Sequence, residues 1–286
     1  MMVARARMRF KPAKVGVWLL ALLLALISLL PVLWIVATSF KTFVSTQAVP
    51  PTLPDLTNWS AYEDVFVTGD VQAGSATGPL INSLIIATGA TIVTMLVAIP
   101  AAFALARYLI ARKPDIQFWI ISTRMMPLIA AIVPLSIMYS WVGLADSYQG
   151  MIIIYLMMNL SFAVWLLTSF FIAVPREIEE AARIDGVSRF GVLRHVSVPL
   201  ARAGIVVVAI FTWVFSWNEL LAGLVLTTGR TATLPVYLST FATNTMTFFQ
   251  HMAAVVTIQI IPAVIIVFLL QRYIISGMSL GAVSGE

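Results

Sequence analysis

The chain has 286 residues, of which 60% are hydrophobic and only 10% charged, with a formal charge of +5. A soluble domain carries roughly 25% charged residues, so this composition excludes an ordinary globular protein and indicates an integral membrane protein. With no cysteine, disulfides, zinc–thiolate sites, iron–sulfur clusters and thiol catalysis are excluded, and His195 and His251 are too few for a histidine-based metal site.

Residues 1–14, MMVARARMRFKPAK, form a basic N-terminus, followed by an apolar run over 15–38. That run exceeds the roughly 7–15 apolar residues of a signal peptide and has no clear cleavage site after it, so it reads as a retained first span. A membrane helix needs roughly 20 apolar residues at about 1.5 Å each. On that measure six spans are expected, near 15–38, 80–106, 117–142, 148–173, 201–226 and 251–273. Lipid leaves bare backbone groups unsatisfied, so spans are helices or barrel strands. The alternating segments of a barrel are missing here. The fold class is therefore an all-α integral membrane protein with six transmembrane helices.

The basic residues set the expected orientation. Arg5, Arg7, Arg9, Lys11 and Lys14 precede the first span, Arg107, Arg112 and Lys113 follow the second, and Arg176, Arg183, Arg189 and Arg194 follow the fourth. The alternate loops hold little beyond Lys41 and Arg230. Basic loops stay in the cytoplasm, so both termini, including a tail over 274–286, are expected inside, with segments 39–79 and 227–250 outside. The positive charge is thus a topology signal, and no nucleic-acid partner is expected.

Two polar features interrupt the spans. Arg124, in STRMMP, is an intramembrane charge about 10–12 Å from the cytoplasmic end at 1.5 Å per residue. It either pairs or snorkels to the headgroups, or it serves a gate or pathway. Pro127 and Pro134 should kink this third span, since each removes an intrahelical bond. Trp217, Asn218 and Glu219 form a cluster in the fifth span. They suit contact with a polyhydroxylated solute or interhelical hydrogen bonding. Met125 and Met126 read as gap-fillers.

The loop 175–199, PREIEEAARIDGVSRFGVLRHVSVP, is the most charged long segment of the chain. Pro175 suits the first turn of a helix, and Glu177, Glu179 and Glu180 suit its positive dipole end. Glu179 precedes Arg183 by four residues, the favourable order for a helix pair. Asp185-Gly186 predicts a turn with a left-handed glycine. Ser188 can cap a second short helix over about 189–196, and Pro199 is expected to open the fifth span. Ala181 and Ala182 leave little bulk between the backbone and any surface that docks on it. The residues alone equally allow a solvated amphipathic loop without a partner.

Glu180, Ala181, Ala182, Gly186, Val196, Val198 and Pro199 fit the spacing Glu-Ala-Ala, three residues, Gly, nine residues, Ile, one residue, Leu-Pro. This closely resembles the EAA loop of ABC importer permeases, with valine at the Ile and Leu positions. SFKT, NSLIIA, AAFALARY, FSWNELL and the tail GMSLGAVSGE are similar to binding-protein-dependent sugar permeases, closest to the shorter subunit of the maltose-permease type. The resemblance implies a non-catalytic subunit for a sugar or sugar-like solute, coupled through Glu180, Ala181, Ala182, Asp185, Gly186 and Pro199 to two cytoplasmic ATP-binding subunits. It also implies a second permease subunit and an external solute-binding protein, docked on the last outer loop, with Arg230, Tyr237 and Asn244 as candidate contacts. ATP and magnesium belong to the partner subunits: no G-x-x-x-x-G-K-[ST] loop occurs in this chain, and no cofactor or metal is expected. The loop motif also fits an ABC permease for a non-sugar solute. An ion-coupled secondary transporter would call for paired acidic residues at mid-bilayer or broken helices in two related halves, whereas Glu219 is isolated and no half is duplicated.

Overall fold

The computed structural model describes residues 12–69, 71, 74–242 and 247–283. Arg5, Arg7, Arg9, Lys11 and Asn244, with residues 284–286 of the tail, lie outside the described residues. The described chain is helical, without strands and with one isolated bridge, Ala242 to Thr247.

The principal helices are α1 (Pro12–Thr38), α2 (Thr77–Arg107), α3 (Lys113–Thr123), α4 (Leu128–Trp141) and α5 (Tyr148–Ile172). They continue as α6 (Arg176–Ile184), α7 (Arg189–Leu200), α8 (Arg202–Trp217), α9 (Leu221–Leu226), α10 (Leu234–Ser239) and α11 (Phe249–Val283). Between α1 and α2 lie only short pieces, Phe43–Thr46, Ser60–Tyr62 and a π-turn over Glu63–Thr68. Among the described residues four helices are long and apolar enough to cross a membrane, or up to six segments if each of two bent pairs counts as one.

The centre of the bundle is the pair α2 and α5. Asn82 near the start of α2 meets Tyr148 at the start of α5, and Arg107 at the end of α2 meets Glu179 just beyond α5. The two helices therefore run parallel. Small residues allow the close approach: Ala90, Ala98, Ala102 and Ala106 are buried on α2. A Cβ on Gly89 would meet the Ile152 side chain at 2.7 Å. In contrast, α1 is exposed over residues 16–31, with leucines at 50–62% exposure, and half-buried only in its last turns, as suits a helix at the edge of a membrane bundle.

Several expectations change. The third span is not one kinked helix but α3 and α4 at 84°. The break falls at Arg124 to Pro127, because proline disfavours helical backbone in the residue before it; Pro134 stays inside α4. Arg124 is the C-cap of α3, so its depth along a straight helix no longer applies. The segment expected as the fifth span is α8 followed by α9, interrupted at Asn218 to Leu220. Here the Asn218 side chain donates to Val214 O at 2.8 Å, and the Glu219 carboxylate accepts from the Ala222 N–H at 3.1 Å, capping α9. The second short helix runs on through a π-turn over Leu193–Ser197 to Leu200. Pro199 therefore lies near its end, before an 82° bend into α8, rather than opening α8. Pro175 is the N-cap of α6, one residue earlier than expected. The last helix continues to Val283, so most of the tail over 274–286 is helical backbone.

Candidate functional site

At one end of the bundle, α6 and α7 form a hairpin. Gly186 turns it with φ of +85°, the left-handed value that glycine adopts without a Cβ penalty. The Ser188 Oγ accepts from the Gly191 N–H at 3.1 Å and caps α7, as its position predicts. Helix α6 is two-sided: Glu179 is buried and Ala182 half-buried, while Glu180, Ala181, Asp185 and Gly186 are exposed. Ile184 is 87% and Phe190 69% exposed beside them.

The hairpin is held from beneath by a buried charge network. Glu179 does not pair with Arg183. Its carboxylate takes two hydrogen bonds from Arg107, at 2.6 and 3.0 Å, and a third from the Ser197 Oγ at 2.8 Å. Arg107 also donates to Val174 O at 2.7 Å. Both charged side chains are 8% exposed. The forked guanidinium suits a two-point grip on a carboxylate. One Arg–Glu pair thus ties the end of α2, the end of α5, α6 and α7 together. Glu179 was legible only as an acidic residue in a helix start, because its partner lies 72 positions away.

A cavity of about 610 Å³ opens between α3, α4, α5 and the end of α8. Arg124, Asn159, Ser161, Asn218 and Glu219 line it together with Tyr155, Met158 and Phe215. The Arg124 guanidinium sits 5.0 Å from the ring centroids of both Phe162 and Phe215 and donates to Met158 O at 3.3 Å. Among the described residues no carboxylate lies in ion-pair range of it. Arg124 and Glu219 remain unpaired with each other but share one cavity. Trp217 lies elsewhere: it is 1% exposed, stacks on Trp213 at 4.8 Å and donates to Gln259 O at 3.1 Å, which packs α8 against α11.

The opposite end is organised by Asp146, which has φ of +47°. Its carboxylate accepts from the Thr231 N–H and hydroxyl at 3.0 and 2.7 Å, from the Thr228 hydroxyl at 2.8 Å and from the Arg230 N–H at 3.3 Å. Partial burial alone would raise its pKa; these hydrogen bonds outweigh that and hold it at about 2. Arg230 turns its guanidinium onto Asp146 O at 2.8 and 3.2 Å. Asn82 donates to the carbonyls of Arg230 and Ala232, and Ser83 accepts from the Leu234 N–H. Tyr237, a candidate docking contact, is 4% exposed and donates to Gly74 O at 2.7 Å, with α10 packed inward. The sequence signals for Asn82 and Asp146 are the polar pair Asn82-Ser83 in an apolar run and the acid Asp146 in a short loop.

Residues 98–280 match the model of the family described as binding-protein-dependent transport system inner membrane component. The chain belongs to that family. It is similar to the trehalose transport system permease protein SugB of Mycobacterium tuberculosis, at 34% identity over 90% of this chain and 93% of that protein. It is also similar to the trehalose/maltose transport system permease protein MalG of Thermococcus litoralis, at 30% identity over 93% and 95% of the two chains. The fold matches a chain in the crystal structure of a bacterial ABC transporter involved in the import of the acidic polysaccharide alginate, with a TM-score of 0.72 over 94% of this chain and 99% of that one, at 22% identity. In this inner membrane component the matched region takes in α3 to α8, so the hairpin, its Glu179 anchor and the Arg124 cavity all fall inside it. Its role is that of a transport subunit. Among the described residues no cluster of His, Asp or Glu could hold a metal ion.

Proposed function

We propose that this chain is a permease subunit of a sugar-importing ABC transporter, lining half of the translocation pathway and driven by partner ATP-binding subunits. The observation that carries this reading is the α6–α7 hairpin: Glu180 and Ala181 exposed, Ile184 and Phe190 bare, and a buried Arg107–Glu179 pair beneath. A hairpin so anchored transmits a push from its tip into α2, α5 and α8 rather than folding aside. The sugar assignment is supported by the relatives named for trehalose and maltose uptake. It is further supported by a cavity that offers cationic, anionic and amide groups beside an aromatic face, the mixture a polyhydroxylated solute needs.

In this reading the chain crosses the bilayer six times. The parallel course of α2 and α5 supports α3–α4 as a return crossing, and α8–α9, which leads from the hairpin to the Asp146 end, supports another. With α1 and α11 these give six. The basic loops put the hairpin and both termini on the cytoplasmic side, and the Asp146–Arg230 end outside, where a solute-binding protein docks near the Thr228 to Thr231 loop. A second permease subunit completes the pathway, and ATP with its magnesium is bound by the partners.

Purification of the tagged chain from membranes tests this. An ATP-binding subunit, a second permease and a sugar-loaded binding protein should co-purify or reconstitute uptake. A chain that catalyses uptake without any ATP-binding subunit refutes the proposal, and a non-sugar ligand on the binding protein refutes the sugar assignment alone.

A further inference from the structure

A pocket of about 370 Å³ lies between the last turns of α1, the short helix Phe43–Thr46 and the start of α11. Its wall is largely apolar, with Trp34, Ile35, Phe249 and Met252, and among the described residues Lys41 is the one charged residue that lines it. Lys41 is 4% exposed. Its ammonium stands 4.5 Å from the Trp34 ring centroid. Among the described residues no carboxylate pairs with it and no oxygen accepts a hydrogen bond from it. The ammonium carries three donors and no acceptor, and an aromatic face compensates only part of the cost of burying a charge. The site is short of an anion.

We propose that this pocket holds a phospholipid, with its phosphate on the Lys41 ammonium and an acyl chain along Trp34, Ile35, Phe249 and Met252. The position favours a lipid over a soluble anion. The apolar part of α1, Gly16–Thr38, spans 23 residues, about the thickness of the hydrocarbon layer at 1.5 Å per residue, so Lys41 falls at headgroup level. Phe40 and Trp59 pair edge-on at 4.9 Å in the adjoining segment and Trp34 lies under the Lys41 ammonium, aromatic residues of the kind found in an interfacial belt. A small anion would leave the apolar wall uncovered, whereas an amphipathic ligand covers both parts. The inference rests on α1 being a membrane span, as under the proposed function. Carbonate extraction of the wild-type chain checks that premise separately.

The test uses the assembled transporter in mild detergent, incubated with phosphatidylglycerol, diacylglycerol or inorganic phosphate, and native mass spectrometry to count what stays bound. The expected result is retained phosphatidylglycerol, no retained diacylglycerol and no displacement by inorganic phosphate. Lys41→Met should weaken retention by about tenfold or more, the loss of a charged hydrogen bond, and Lys41→Arg should keep it. Equal retention in Lys41→Met overturns the proposal. So does displacement by phosphate alone, which marks a free-anion site, or loss of the partner subunits in Lys41→Met without any loss of lipid, which marks a partner carboxylate. Should Lys41→Met fail to assemble, the diacylglycerol comparison on the wild type and the Lys41→Arg variant decide.

Discussion

Arg107 and Glu179, 72 positions apart, are joined by two hydrogen bonds of 2.6 and 3.0 Å with both side chains 8% exposed. Burying two charges is favourable only where geometry and further hydrogen bonds are good, and Ser197 and Val174 O supply those bonds. Removing one partner leaves the other charge buried alone. Glu179→Ala should therefore destabilise the chain by about 3–5 kcal/mol. Replacing both, as Arg107→Met with Glu179→Leu, should restore much of that loss. Thermal unfolding of the wild type and both variants checks this, and a double replacement no more stable than Glu179→Ala would contradict it.

At Gly186 no atom lies within 4 Å of where a Cβ would stand, so space is not the constraint; the φ of +85° is. Gly186→Val should cost about 1–2 kcal/mol in backbone strain and lower solute uptake per ATP hydrolysed. Gly186→Asn, a residue that tolerates the left-handed region, should be milder. Equal uptake in all three forms would contradict a role for the turn geometry.

Arg124 stands 5.0 Å from the ring centroids of Phe162 and Phe215 and lines the shared cavity. If it contacts passing solute, Arg124→Gln should slow uptake by about tenfold, the worth of one charged hydrogen bond, with assembly intact. Transport assays in vesicles beside size-exclusion profiles measure both. Unchanged uptake would confine Arg124 to packing.

Much of the framework could be read from the residues, since the helices are set by apolar runs and the hairpin turn by Asp185-Gly186. Long-range pairing was not. The i to i+4 spacing of Glu179 and Arg183 offers a local partner, but Glu179 faces the bundle and finds Arg107, a contact that no local pattern encodes. Helix breaks were legible only where proline marks them: Pro127 signals one, whereas the break at Asn218 arises from side chains that bond the backbone and cap α9. The inward turn of Tyr237 was not legible either: Leu234, Pro235, Val236 and Leu238 around it are apolar, and only α10 packing brings its hydroxyl to Gly74 O.

The Asp146 clamp sets a pH dependence at the outer end. Its native pKa of about 2 lies below the unfolded value of about 3.9. The contribution is therefore complete above about pH 4 and is lost as pH falls from about 4 through 2. Protection of the Thr231 amide in hydrogen exchange should fall over that window. Asp146→Asn should reproduce the loss at neutral pH, because an amide accepts fewer of these bonds. A Thr231 amide equally protected in both forms would contradict the clamp.

Everything proposed for transport depends on the tip of the α6–α7 hairpin meeting an ATP-binding subunit. The chain has no cysteine, so Ala181→Cys introduces a single thiol on the exposed face. Cross-linking in intact membranes should join it to the ATP-binding subunit, and ATP should change the yield. A thiol that an impermeant maleimide labels from outside the cell, or that never cross-links to an ATP-binding subunit while uptake proceeds, would contradict the account.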